Sequence, residues 1–141
     1  MNGHSIKIAF LASIGAVGGY INMMFSKHNG AILSLIVFMS VDYVIGIIAA
    51  CVFKKSKKSA NGGLNSSIGW RGLCKKVISL LLVLMSERID LLMQTSIIQE
   101  GITFAFIANE LLSIVENAGM IGIPIPKVLV NAVDVLQNKN R

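Results

Sequence analysis

Long apolar stretches separated by short polar ones set the pattern of this chain. Residues 31–53 carry a single charge, Asp42, and end abruptly in Lys54-Lys55-Ser56-Lys57-Lys58. A helix needs about 20 apolar residues to cross a hydrocarbon core of roughly 30 Å, so this stretch predicts a membrane span. Three more stretches predict spans: residues 5–25, 73–93 and 97–116. The hydrophilic segment 54–72 is rich in Ser, Asn and Gly and reads as a flexible loop. In residues 126–138, Lys127, Asn131, Asp134 and Asn138 share one helical face, while Val128, Ala132, Val135 and Leu136 share the other. That piece is short for a span and predicts an amphipathic helix, on the membrane surface or against a partner. The expected fold is an all-α integral membrane protein of one domain, with four transmembrane helices and a C-terminal amphipathic helix. It has three spans if the first segment lies in the interface.

Composition agrees. Of 141 residues, 54% are hydrophobic and 14% charged, against about 45–50% and about 25% in soluble domains. The net charge of +6 would suggest nucleic acid in a soluble protein. Here the basic residues flank apolar runs, so no nucleic-acid partner is expected. Lys54, Lys55, Lys57, Lys58, Arg71, Lys75 and Lys76 set topology and meet anionic lipid headgroups, with Trp70 as an interfacial aromatic. With four spans and both termini in the cytoplasm, Lys27 and Arg88 alone of the thirteen Lys and Arg residues fall outside, as the positive-inside rule requires. A cleavable signal ending near Ala16-Val17-Gly18 is disfavoured, because the apolar stretch continues to Phe25.

The polar residues inside these stretches are the candidates for function. Asp42 shares a helical face with Gly46 and Ala49. A carboxylate at this depth is costly unless paired, hydrated or protonated, so Asp42 is either a structural aspartate between helices or part of a cavity. In the fourth stretch Gln99, Thr103, Glu110 and Ser113 form a stripe with Asn117, interrupted by Phe106. In lipid such a stripe has to face protein or a water-filled path. Gly15 and Gly19 form a G-x-x-x-G on a small-residue face suited to helix packing. Arg88 lies toward the far side. It is placed to snorkel, to pair with Asp90 or Glu87, to reach Asp42, or to remain solvated.

No catalytic chemistry is visible. His4 and His28 sit in polar end positions, which leaves no triad or metal cluster. Cys51 and Cys74 lack disulfide or metal spacing, and Gly62-Gly63 lacks the downstream Lys of a phosphate-binding loop. The chain reads as a non-enzyme without cofactors.

Several ordered motifs resemble a known family. They are Asp42-Tyr43-Val44-Ile45-Gly46, the basic run, Ser66-Ser67-Ile68-Gly69-Trp70-Arg71-Gly72 with Lys75-Lys76, and Ile89-Asp90. They continue with Asn109-Glu110-Leu111-Leu112-Ser113-Ile114-Val115-Glu116-Asn117 and Gly122-Ile123-Pro124-Ile125-Pro126. Together, over roughly residues 31–136, they resemble the toxin-secretion/phage-lysis holin family. The resemblance implies a small protein of the bacterial inner membrane that forms homo-oligomers. It also implies a path for a folded cargo, an endolysin or a large toxin. Asp42, Gly46 and the Glu110 stripe are then expected at helix contacts or along that path. A narrow ion channel and a membrane adaptor subunit are the alternatives.

Overall fold

The computed structural model describes residues 5–9, 11–13, 15–16, 19, 30–56 and 58–139, with backbone only at 136, 137 and 139. Its four complete helices are α1 (Gly30–Cys51), α2 (Ser66–Met93), α3 (Ile97–Met120) and α4 (Lys127–Lys139). Residues 5–9 and 11–13 are also helical, and no strand occurs among the described residues. Ile6, Ile8 and Leu11 in that first segment are exposed.

The helix ends follow from local chemistry. Asn65 caps α2: its side-chain oxygen accepts from the Ser67 and Ile68 N–H groups at 3.0 and 3.4 Å, which satisfies donors the helix leaves orphaned. The helix therefore starts at Ser66, not after a loop reaching to residue 72, and Trp70 and Arg71 sit within its first turns. Gln94 closes α2 in the left-handed region at φ 55°. Gly122, at φ +82°, turns the chain out of α3, and the Ile123 N–H donates to the Ala118 carbonyl at 3.0 Å.

Helix α3 is central. It packs against α1, α2 and α4, whereas α1 and α2 meet sparsely. The three-residue connection 94–96 makes α2 and α3 an antiparallel hairpin. Ile32, Leu35 and Met39 of α1, Val83 of α2 and Ile107 of α3 form the core, with Ile36, Leu80 and Phe106 packed on it. Ala49 is 1% exposed and supplies a small contact on α1. Helix α4 is folded back on α3 through the buried Val133 but leaves Val128 and Val135 exposed.

The distribution of polarity is that of a protein in lipid. Asp42, Ser86, Asp90, Thr103 and Glu110 are buried, while Leu33, Val37, Val44, Ile78, Leu81 and Met85 are exposed. Water would drive the opposite arrangement. Helices α1 and α3 are long and apolar enough to cross a membrane. Helix α2 has the length, but its uncharged run, residues 77–86, covers only about 15 Å at ~1.5 Å per residue. Among the described residues two candidate spans therefore stand; the expected span 5–25 lies partly outside them.

The segment after α1 is not the loose loop its composition predicts. Lys55 N–H donates to Ala49 O at 3.0 Å and Ser56 N–H to Gly62 O at 2.9 Å. Ser59 Oγ donates to Gly63 O at 2.7 Å. Gly62 has φ +72°, and a Cβ there would lie 1.9 Å from the Lys54 carbonyl oxygen. The loop is thus folded tightly on its own backbone, a geometry that glycine permits.

Candidate functional site

Three helices each bring one charged side chain to the same depth. Asp42 lies nine residues before the end of α1, Lys76 ten after the start of α2, and Glu110 ten before the end of α3. At ~1.5 Å per residue each is about 14–15 Å in from the helix ends that share one side of the molecule. Lys76 Nζ donates to Asp42 Oδ2 at 2.9 Å and to Glu110 Oε2. Asn117, two turns beyond Glu110, donates through Nδ2 to Asp42 Oδ1 at 3.2 Å. The side chains of Lys76, Asp42 and Glu110 are 15%, 6% and 9% exposed. Two carboxylates on one ammonium leave one uncompensated negative charge in a poorly solvated place.

Two clefts reach the cluster. One, of about 130 Å³, lies under the folded loop; its walls include Asp42, Gly46, Lys58, Lys76, Ser113 and Asn117. The other, of about 390 Å³, opens between α2 and α3 and includes Asp42, Lys58, Lys75, Lys76, Glu110 and Ser113. Water can therefore approach both carboxylates, which lowers the desolvation cost of keeping them ionised. Gly46 belongs to this wall, and a Cβ there would meet nothing within 4 Å. It holds space open and seats no other helix among the described residues.

The α3 stripe divides in two. Glu110, Ser113 and Asn117 gather at the cluster. Gln99 is half-buried near the other end, and Thr103 is 1% exposed, its Oγ1 without a partner among the described residues. Thr103 sits in the packed core, one turn from Ile107.

Asp90 does not pair with Arg88. Its Oδ1 accepts from Thr95 Oγ1 at 2.6 Å and Ile98 N–H at 3.2 Å, and its Oδ2 from Gln99 N–H at 2.7 Å. It caps the start of α3 from the end of α2, because Ser96, at the cap position, makes no side-chain cap bond. Arg88 is exposed, and the described ion pairs are those of Lys76. Asp42 likewise takes Lys76 and not Arg88. Lys76 was expected at the lipid headgroups and is instead the hub of the site. With α2 starting at Ser66, Lys76 is level with Asp42 and Glu110 and Arg88 is not; the expected start at residue 73 concealed this. The other basic and aromatic candidates, Lys54, Lys55, Lys58, Trp70, Arg71 and Lys75, are exposed, while Lys57 lies outside the described residues. Gly15 and Gly19 are exposed, with nothing within 4 Å of an added Cβ among the described residues.

Among the described residues no group of His, Cys, Asp and Glu could hold a metal ion. Cys51 and Cys74 are free. The site offers charge, hydrogen bonds and access for water, without a nucleophile and base in partnership.

No solved structure matches the chain. Among known sequences, an uncharacterized protein of Clostridium perfringens is 35% identical over 96% of this chain and 96% of its own length. An uncharacterized protein of Listeria innocua is 32% identical over 96% of this chain and 89% of its own length. A probable holin of Bacillus phage phi105 is 32% identical over 99% of this chain and 90% of its own length. Residues 19–138 match the bacteriophage holin family. With its apolar exterior and buried charges, the chain is a membrane protein belonging to the bacteriophage holin family.

Proposed function

We propose that this protein assembles into homo-oligomers in the bacterial cytoplasmic membrane and opens a lesion that releases a folded protein, an endolysin or a large toxin. The observation that carries the reading is the charge cluster buried where three helices meet and bordered by two clefts. A membrane helix retains ionisable groups at depth where they serve a path or an assembly step. The family match and the phage relative, itself described as a probable holin, favour a path wide enough for protein. In this reading α2 and the N-terminal segment join α1 and α3 as spans. The basic loop and both termini face the cytoplasm, and Lys54, Lys55, Trp70, Arg71 and Lys75 rest against anionic headgroups. The role is not catalytic.

The test is expression in a bacterium together with a muralytic enzyme that lacks an export signal, following turbidity and membrane potential at once. Abrupt lysis that needs both proteins is the expected result. Depolarisation without enzyme release would instead identify a narrow channel, and no effect on either would identify an adaptor. Alanine substitution at Asp42 and at Glu110 then tests the site: if release and oligomer size both survive, the cluster has no part in the path or the assembly.

A further inference from the structure

The same cluster has a mechanical consequence. Helix α1 has its own tie to α3 through Asn117 and Asp42, and α2 has its own through Asp90 and the first turn of α3. Between α1 and α2, by contrast, the polar tie among the described residues is Lys76 to Asp42. Elsewhere these two helices meet sparsely. An apolar groove of about 280 Å³ runs between them, walled by Ile36, Met39 and Val44 on α1 and by Leu73, Val77 and Leu80 on α2, with Lys76 in its wall. Both helices rest on α3, so release of the Lys76 bond would let them part at this end while Val83 of α2 stays in the core with Ile32, Leu35 and Ile107. The clefts on either side also provide water for the groups so released. Lys58 from the loop, Lys75 from α2 and Glu116 from α3 share those walls.

We propose that the Asp42–Lys76–Glu110 cluster is a clasp that holds α1 to α2 in the unassembled chain. Opening it is the step that frees α1 and both carboxylates for contact with a second copy. The inference rests on the lesion-forming reading above. A bare carboxylate in hydrocarbon is strongly disfavoured, so the closed chain keeps its charges neutralised internally until another chain or water replaces Lys76. The clasp thereby restrains the chain it stabilises.

The test uses the full-length chain with Cys51→Ser and Cys74→Ser, and with cysteines introduced as Val44→Cys and Val77→Cys, which face the same groove. In membranes, a short cleavable bis-thiosulfonate links the pair. In cells, the onset of muralytic-enzyme release is timed. Lys76→Met should lower the cross-link yield several-fold and bring release forward at equal membrane abundance, and Lys76→Arg should restore both. Cross-linking should block release until a reductant cuts the link. If Lys76→Met fails to accumulate, the uncharged triple variant Asp42→Asn/Lys76→Met/Glu110→Gln leaves no bare ion and should show the same fall in cross-link yield, the one readout taken from it because it lacks the carboxylates. An undiminished cross-link yield in whichever variant accumulates, or release at or after the parental time in Lys76→Met, would overturn the clasp. If the parent itself releases no enzyme, the lesion reading fails, while the cross-link comparison still decides whether Lys76 holds α1 to α2.

Discussion

Replacing Lys76 by methionine should destabilise the helix core far more than replacing either of its partners. Without the ammonium, Asp42 and Glu110 face each other with side chains only 6% and 9% exposed. Removing one partner of a buried ion pair typically costs about 3–5 kcal/mol. Asp42→Asn acts differently. It leaves Lys76 and Glu110 as a one-to-one pair, removes the uncompensated negative charge, and keeps one oxygen for Lys76, while its new amide N–H donates to Asn117 once that side-chain amide turns over to present its oxygen. Its cost should be about 1 kcal/mol or less, the net worth of one hydrogen bond. The triple variant Asp42→Asn/Lys76→Met/Glu110→Gln removes every charge, and such replacements are often neutral or stabilising by about 1–4 kcal/mol. Lys76→Met and the triple variant should therefore differ by at least about 3 kcal/mol, more than a hundredfold in the unfolding constant. SDS-driven unfolding from mild detergent micelles, followed by far-UV ellipticity, measures all three. The electrostatic account is refuted if Asp42→Asn costs as much as Lys76→Met, or if the triple variant is no more stable than Lys76→Met. Either result would mean that packing around Lys76 matters and its charge does not.

Other expectations concern single contacts. Gly62→Ala places a Cβ 1.9 Å from the Lys54 carbonyl oxygen at a φ of +72°, so it should loosen the basic loop and speed tryptic cleavage there several-fold. Gly63→Ala meets only the Asn61 side chain at 3.5 Å and should leave the cleavage rate near the parental value. Asp90→Ala should strip hydrogen-exchange protection from the Ile98 and Gln99 amides it now accepts from, whereas Arg88→Ala should leave them protected. Ala49→Leu, at a position 1% exposed, should cost about 1–3 kcal/mol by overpacking in the same SDS titration. Gly46→Ala, with nothing within 4 Å of the new methyl, should be neutral or stabilising by up to ~1 kcal/mol from helix propensity.

The apolar runs made the helices legible, because a stretch such as 31–53 with one charge has few alternatives. The membrane setting was legible for the same reason. Asp42 and Glu110 could be singled out as ionisable groups with no place in lipid. Their partner could not be found by charge pattern alone, since Lys75-Lys76 reads as two flanking cations whether one of them turns inward or neither does. Only the register of α2 against α3 decides it, and Asp90 fixes that register by gripping the start of α3. The Asn65 cap and the folded loop were hidden for a related reason. A run of Ser, Asn and Gly supplies caps and tight turns as readily as disorder, and the choice depends on whether distant backbone, here Lys54 against Gly62, comes within reach.

The division of the α3 stripe constrains how a path could form. Its Glu110, Ser113 and Asn117 half already borders clefts that open beneath the basic loop. Its Thr103 end is sealed, 1% exposed and one turn from the core residue Ile107. Wetting the first half requires the Lys76 bonds to open, with Glu110, Ser113 and Asn117 already beside the clefts. Wetting the second half requires α3 to rotate or to part from Ile32, Leu35 and Val83, each nearly fully buried, at about 1.5–3 kcal/mol of burial for every large side chain exposed to water. If the stripe lines a lesion, the two halves must therefore be hydrated in sequence, the half beneath the basic loop first. The second step becomes affordable only when another copy re-covers the apolar faces that α3 gives up. Assembly is then required by the energetics of the far half, and the clasp governs only the near one.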